Sequence, residues 1–210
     1  MRTDVSTALK GRRLLVAVSG SIAAVKTPLL VSALVKAGAE VRCLVTPSAA
    51  KLVSPLALAS LSRHRCYTED DGWDSSCSRP LHIELAEWAE LVLLAPLSAT
   101  SLSRWSQGSA DGLLASVLLA CECPVLAAIA MNTAMWSHPA VQRNWQVVQT
   151  FPGVVPLMPQ PGLLACDRLG DGRMADPMLI ELAASSLFSR GDAGPVANRD
   201  WSGRRLMVSA

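Results

Sequence analysis

In this 210-residue chain Cys166, His82 and Asn132 combine a type that can move a proton or grip a carboxylate with a setting that suits the task. Cys166 lies in Gly162-Leu-Leu-Ala-Cys166-Asp-Arg-Leu-Gly170-Asp-Gly172-Arg-Met174, where Asp167, Arg168, Asp171 and Arg173 favour solvent and can perturb a thiol pKa. Structural cysteines belong in packed apolar strands or helices, and this one sits between glycines that predict a hinge. A thiol so placed can enter and leave a site. His82 opens the apolar helix start Pro80-Leu-His-Ile-Glu-Leu-Ala86, and an imidazole that changes charge near neutral pH suits proton transfer. A lone histidine is more often structural, so His82 gains weight only in company. Asn132 follows the apolar run Pro124 to Ile129 in Met131-Asn132-Thr-Ala-Met135-Trp136. Its amide can clamp a carboxylate or an amide, although an asparagine after a strand is equally a turn residue.

Small and hydroxyl residues gather at three other strand ends. Ser19-Gly20-Ser21 falls where a first strand meets a helix, so backbone amides and the helix dipole converge on a point suited to phosphate. The full Gly-x-Gly-x-x-Gly fingerprint is missing, and the second strand ends in Thr46-Pro47-Ser48 where an NAD site would carry Asp or Glu. Hydroxyls there suit a phosphate better than a ribose and point to a mononucleotide such as FMN. Pro96-Leu-Ser98-Ala99-Thr100 brings two more hydroxyls and another helix start, with Ser98 equally a natural N-cap.

The elements that must hold these residues are legible as alternating strands and helices. Arg13 to Val18, Leu91 to Ala95 and Pro124 to Ile129 are short apolar runs without polar alternation, as strands covered on both faces require, and Glu40 to Val45 reads as a second strand beside the first. Helical spacing of Leu30, Ala33, Leu34 and Ala37 closes at Gly38, and further helical stretches are expected around 98–120 and 137–149. The expectation is an α/β fold of flavoprotein type: a Rossmann-like, doubly wound parallel sheet in a single domain. Arg63 to Pro80 and Met158 to Pro177 read as long irregular loops, the candidate lids.

Composition narrows the partners. Half the residues are hydrophobic and the formal charge is only +2, so there is a sizeable core and no basic stripe for nucleic acid; a small-molecule substrate is expected. The cysteines at 43, 66, 77, 121, 123 and 166 show no zinc spacing and no disulfide framework, so no metal is expected. Met1 to Lys10 is polar, which together with the cysteine usage suggests a reduced, cytoplasmic protein. Leu113 to Met131 is long and apolar, but Glu122 and Pro124 interrupt it, and a buried helix followed by a buried strand explains it better than a membrane span.

Residues 11–188 are expected to form the domain, with 189–201 a Gly- and Pro-rich linker. Ser202-Gly-Arg-Arg-Leu-Met-Val-Ser209 echoes Lys10-Gly-Arg-Arg-Leu-Leu-Val-Ala17, so 202–210 reads either as the first strand of a further domain or as a chance repeat of a strand entry.

Taken together, Val18-Ser-Gly-Ser-Ile-Ala-Ala24 with Lys26-Thr-Pro28, His82-Ile-Glu-Leu-Ala86, Leu94-Ala-Pro-Leu-Ser-Ala99, Met131 to Trp136 and the Cys166 segment resemble the flavin-dependent cysteine decarboxylases. The likeness runs from about Gly11 to Ala184 and is nearest to the branch that converts 4′-phosphopantothenoylcysteine to 4′-phosphopantetheine on the way to coenzyme A. The resemblance implies FMN as cofactor, near Ser19, Gly20, Ser21, Thr46, Ser48, Ser98, Ala99 and Thr100. It implies His82 as the catalytic residue of oxidation and decarboxylation, and Cys166 as the proton donor of the final reduction. It implies substrate contacts from Asn132, Met131, Arg173 and Met174, and a homo-oligomer, trimer or dodecamer, with the site between subunits. In bacteria a ligase domain commonly follows. The chain departs from the family pattern at Ile129, where Pro is usual, at Gly112, where Asn or Asp is usual, and at Asp167, where Gly is common. Two rival readings are a peptidyl-cysteine decarboxylase, which has no need of the lid cysteine, and a non-catalytic regulatory relative, which has no need of His82, Asn132 and Cys166 together.

Overall fold

The computed structural model describes residues 8–74, 78–163 and 169–189. Strands β1 (Arg13–Val18), β2 (Glu40–Val45), β3 (Cys66–Tyr67), β4 (Leu91–Leu97), β5 (Val125–Ile129) and β6 (Val154–Leu157) pair in parallel in the order β3-β2-β1-β4-β5-β6. The cause is visible residue by residue. In β1, Leu14, Val16 and Val18 enter one apolar cluster while Leu15 and Ala17 enter the other, and β4 divides in the same way between Leu91, Leu93 and Ala95 and Val92, Leu94 and Leu97. Both sides of each strand are buried, so neither can be polar.

Helices α1 (Thr27–Lys36), α3 (Pro55–Ser62) and α9 (Pro177–Ser189) cover the first face through Leu30, Leu34, Leu58, Ile180 and Ala184. Helices α4 (Leu81–Trp88), α5 (Ala99–Gln107), α6 (Leu113–Ala120) and α8 (Pro139–Gln149) cover the second through Leu85, Leu102, Trp105, Val117 and Trp145. Two one-turn helices, α2 (Pro47–Ala50) and α7 (Thr133–Trp136), follow β2 and β5. Among the described residues no helix is long and apolar enough to cross a membrane; Leu113 to Met131 divides into α6 and β5.

Three expectations are corrected. Arg63 to Pro80 is not irregular throughout, since it carries β3, which pairs with β2, and a 3-10 turn at Asp70–Trp73. The stretch 98–120 is two helices, because Gly108 leaves α5 with a left-handed φ of +69° and Gly112 is fully extended at the start of α6. Met158 to Pro177 contains an antiparallel hairpin, β7 (Gln160–Leu163) and β8 (Leu169–Arg173).

Candidate functional site

The parallel ladder between β4 and β5 slips between Leu94 and Leu97. The carbonyls freed there are buried and need donors. Thr27 Oγ1 donates to Ala95 O at 3.1 Å and Ser19 Oγ donates to Pro96 O at 2.8 Å; both side chains are fully buried. The Ser19 oxygen then accepts the Ser98 N–H at 2.7 Å. Ser19 was expected to face a ligand, but its hydroxyl is committed to the protein, where it joins the mouths of β1 and β4 and sets the start of α5. Ser98 is the N-cap of that helix, with its oxygen 3.4 Å from the Ser101 N–H.

β1 and β4 are adjacent strands whose following connections leave on opposite sides, the switch point at which open α/β sheets bind ligands. A cavity of about 750 Å³ opens there, lined by Gly20, Ser21, Ser98, Ala99, Thr100, Met131, Asn132, Arg173 and Met174. Those nine expected site residues are thus brought together. Gly20 has to lack a side chain, since a Cβ on it would lie 2.5 Å from the Ser48 Cβ. Ser48 therefore abuts the first loop but does not line the cavity, and Thr46 Oγ1 is occupied in capping α2, 3.3 Å from the Ala49 N–H.

Asn132 is the N-cap of α7: its Oδ1 accepts the Ala134 N–H at 2.8 Å, which fixes the side-chain orientation at the cavity wall. Ile129, where a proline was expected from the resemblance, is the last residue of β5, fully buried and opposite Leu97 in the ladder. β8 lies across the segment that follows. Met131 N–H donates to Gly172 O at 3.0 Å, and a Cβ on Gly172, whose φ is +151°, would sit 2.2 Å from Met131 O. A Cβ on Gly170 would sit 2.4 Å from Thr133 Oγ1, and one on Gly162, at φ +148°, would overlap the Arg173 guanidinium at 2.3 Å. The glycines expected to form a hinge are therefore contact residues: they let the hairpin lie flat on Asn132's segment and let Arg173 cross it. Cys166 itself lies outside the described residues.

The cavity wall divides by chemistry. Among the described residues Lys26 and Arg173 are its two cations and no carboxylate lines it, while Asp176 stands between them, 3.5 Å from Lys26 Nζ and 4.0 Å from the Arg173 guanidinium. With the hydroxyls of Ser21 and Thr100 and the start of α5, these cations give the wall groups suited to an anion. Ile22, Val25, Met131, Met135 and Met174 supply the apolar part of the same lining. Ile22, Val25, Lys26 and Met135 were not expected here; Lys26 stands in the quoted Lys26-Thr-Pro28 motif, whereas apolar residues near a helix start look like core.

His82 is not in this lining. It is the second residue of α4, half-buried, on the helix that packs against α6. His138 is a structural residue, its Nδ1 accepting the Ala140 N–H at 3.2 Å. No cluster of three or more His, Cys, Asp or Glu suited to a metal occurs among the described residues.

A cavity of this size, with anion-binding and apolar groups in its wall at the switch point of a doubly wound sheet, is that of a protein that binds a mononucleotide-sized ligand. The model of the family described as Flavoprotein matches residues 2–183, and the chain belongs to that family. It is similar to a cysteine-to-serine mutant of PPC decarboxylase complexed with pantothenoylaminoethenethiol, at 35% identity and a TM-score of 0.79, with 86% of this chain and all of that chain covered. It is similar to the FMN binding protein AtHal3, at 34% identity and a TM-score of 0.78, over 86% of this chain and 98% of that one. The coenzyme A biosynthesis bifunctional protein CoaBC of Bacillus subtilis (strain 168) is 39% identical over 202 residues, 96% of this chain and 48% of that protein. The chain spans about half the length of the curated relatives it matches.

Proposed function

We propose that this chain catalyses the FMN-dependent decarboxylation of 4′-phosphopantothenoylcysteine to 4′-phosphopantetheine, a step of coenzyme A biosynthesis in the cytoplasm. The observation that carries the reading is the cavity wall, where Asn132 and Arg173 meet an apolar, mononucleotide-sized space, in a chain that covers the whole of PPC decarboxylase at 35% identity. The residues fit FMN: the close approach of Gly20 to Ser48 shapes a loop for phosphate, the hydroxyls and cations meet its charge, and Ile22, Val25 and the methionines suit a flat ring. Bound FMN supplies a two-electron acceptor that can return the same electrons after carbon dioxide has left.

The protein's part is to hold and to move protons. Asn132, its Oδ1 already engaged with Ala134, presents an amide whose N–H groups suit the substrate carboxylate, while Met131, Arg173 and Met174 seat the remainder. His82 takes a proton from the cysteine moiety during oxidation, and Cys166 returns one in the final reduction. His82 lies outside its own chain's cavity, which supports a homo-oligomer, trimer or dodecamer, in which one copy's His82 serves another's Asn132. Leu29, exposed on α1 outside the cavity lining, offers an apolar side chain for that contact. Residues 11–188 form the decarboxylase domain, and 202–210 begin a ligase domain.

The test is to purify the chain, identify flavin released by acid, and follow carbon dioxide and product mass with 4′-phosphopantothenoylcysteine. Bound FMN and 4′-phosphopantetheine are expected, with Cys166→Ser stopping at the enethiol. A colourless protein that releases no carbon dioxide overturns the reading.

A further inference from the structure

The decarboxylase reading makes no use of two cysteines placed elsewhere in the molecule. Cys121 and Cys123 flank Glu122 in the turn between α6 and β5, before β5 begins, whereas the cavity lies beyond its end. Their sulfurs are 3.1 Å apart, and Cys121 Sγ also reaches the Cys123 carbonyl at 3.5 Å, so the Cys121 side chain is folded back over the turn toward its partner. A disulfide bond is about 2.05 Å long, so closure needs roughly 1 Å of movement. Both residues are half-buried, and the adjoining Glu122 and Pro124 are exposed, which admits a small reagent.

We propose that Cys121 and Cys123 are a dithiol modification site that closes reversibly to an intramolecular disulfide by exchange with a low-molecular-weight disulfide such as oxidised glutathione. The Cys121 thiolate attacks one sulfur of the reagent, forming a mixed disulfide and expelling one glutathione thiolate. Cys123, losing its proton to solvent, then attacks the Cys121 sulfur and expels the second. Two electrons pass from the protein to the reagent, which leaves as two thiols.

The surroundings assign the order of attack. The hydrogen bond from Cys123 holds the Cys121 thiol below its ordinary pKa, outweighing its burial, whereas Cys123 is raised by that same bond, by burial and by the neighbouring charge. Once Cys121 is bonded to glutathione, the bond and the charge that held the Cys123 proton are gone, and only burial remains against it. Cys43 and Cys66 provide the contrast. They sit opposite each other in β2 and β3, both buried; burial, and then the charge of Asp71, push Cys66 up to about 12, and burial raises Cys43 further. They are a pair without access or thiolate.

The experiment equilibrates the full chain in buffers of rising oxidised-to-reduced glutathione ratio, quenches in acid, alkylates and digests with trypsin. The peptide 105–143 carries Cys121 and Cys123 and no other cysteine. It is expected to appear unalkylated and two hydrogens lighter, reversibly, while Cys43 and Cys66 stay reduced. Cys123→Ser should accumulate one glutathione on Cys121, and Cys121→Ser should take up glutathione at least about ten-fold more slowly. A peptide that keeps two alkylatable thiols at every ratio, or that oxidises only as a link between two chains, overturns the proposal.

Discussion

Glu69 caps the helix that Gly112 leaves uncapped: its two carboxylate oxygens lie 3.0 and 3.1 Å from the Leu113 N–H. The carboxylate also fills the space where a side chain at 112 would stand, 3.2 Å from the Cβ that Gly112 lacks. Glu69 thus supplies from another segment a capping group that a glycine at 112 cannot.

Glu69→Ala should therefore lose about 0.5–2 kcal/mol, the worth of an N-cap, seen as a fall in Tm of roughly 1–8 °C. Gly112→Asn should not stabilise the parent but should recover most of the loss in the Glu69→Ala background. Additive effects in a double-mutant cycle, measured by thermal unfolding, would show that the two positions do not share the role.

Gly172→Ala should do more than loosen a loop. The new methyl group must displace the Met131 carbonyl and hold a φ that alanine avoids, at a cost of about 1–3 kcal/mol. Because that carbonyl precedes Asn132, affinity for flavin or substrate should fall together with Tm. Calorimetric titration of the apoprotein with FMN, beside a melting curve, tests this; parent values for both would refute the contact role given to β8.

Glu90 gives stability a pH dependence. Burial would raise its pKa, but hydrogen bonds from the Arg13 N–H and from Arg12, with the charges of both arginines, hold the carboxyl below its usual value. A lowered folded-state pKa means that the contribution is present above the unfolded value of about 4.3 and is lost as pH falls through the folded value. Glu90→Gln should therefore lie below the parent in Tm at pH 7, with the gap narrowing below pH 4. A gap that stays constant from pH 7 to pH 3 would assign the effect to packing.

What the sequence made legible follows from burial. β1 and β5 are apolar on both faces, so the runs at 13–18 and 124–129 show strand and extent together, while in β2 Glu40 and Arg42 alternate with Val41 and Cys43 before the fully buried Leu44 and Val45. β3 has two residues, and β6, half-exposed at the sheet edge, carries Pro156, which argues against a strand when read in the sequence alone. The hairpin was hidden because its spacing is set by Gly162, Gly170 and Gly172, which carry no hydropathy. In the site, hydroxyls and glycines at strand ends pointed to the cavity, yet nothing local distinguishes Ser21, which lines it, from Ser19, which is buried behind it. That difference depends on where β4 slips against β5, a contact more than seventy residues away along the chain.

The Ser19 oxygen, bonded on one side to Pro96 and on the other to Ser98, fastens the two rims of the switch point at a single atom. The width of the aperture is therefore settled when the chain folds, before any ligand arrives. The conformational entropy of shaping that rim is spent during folding, so a cofactor that enters meets a fixed frame, and changes at residue 19 should register in affinity even though the side chain never touches what is bound.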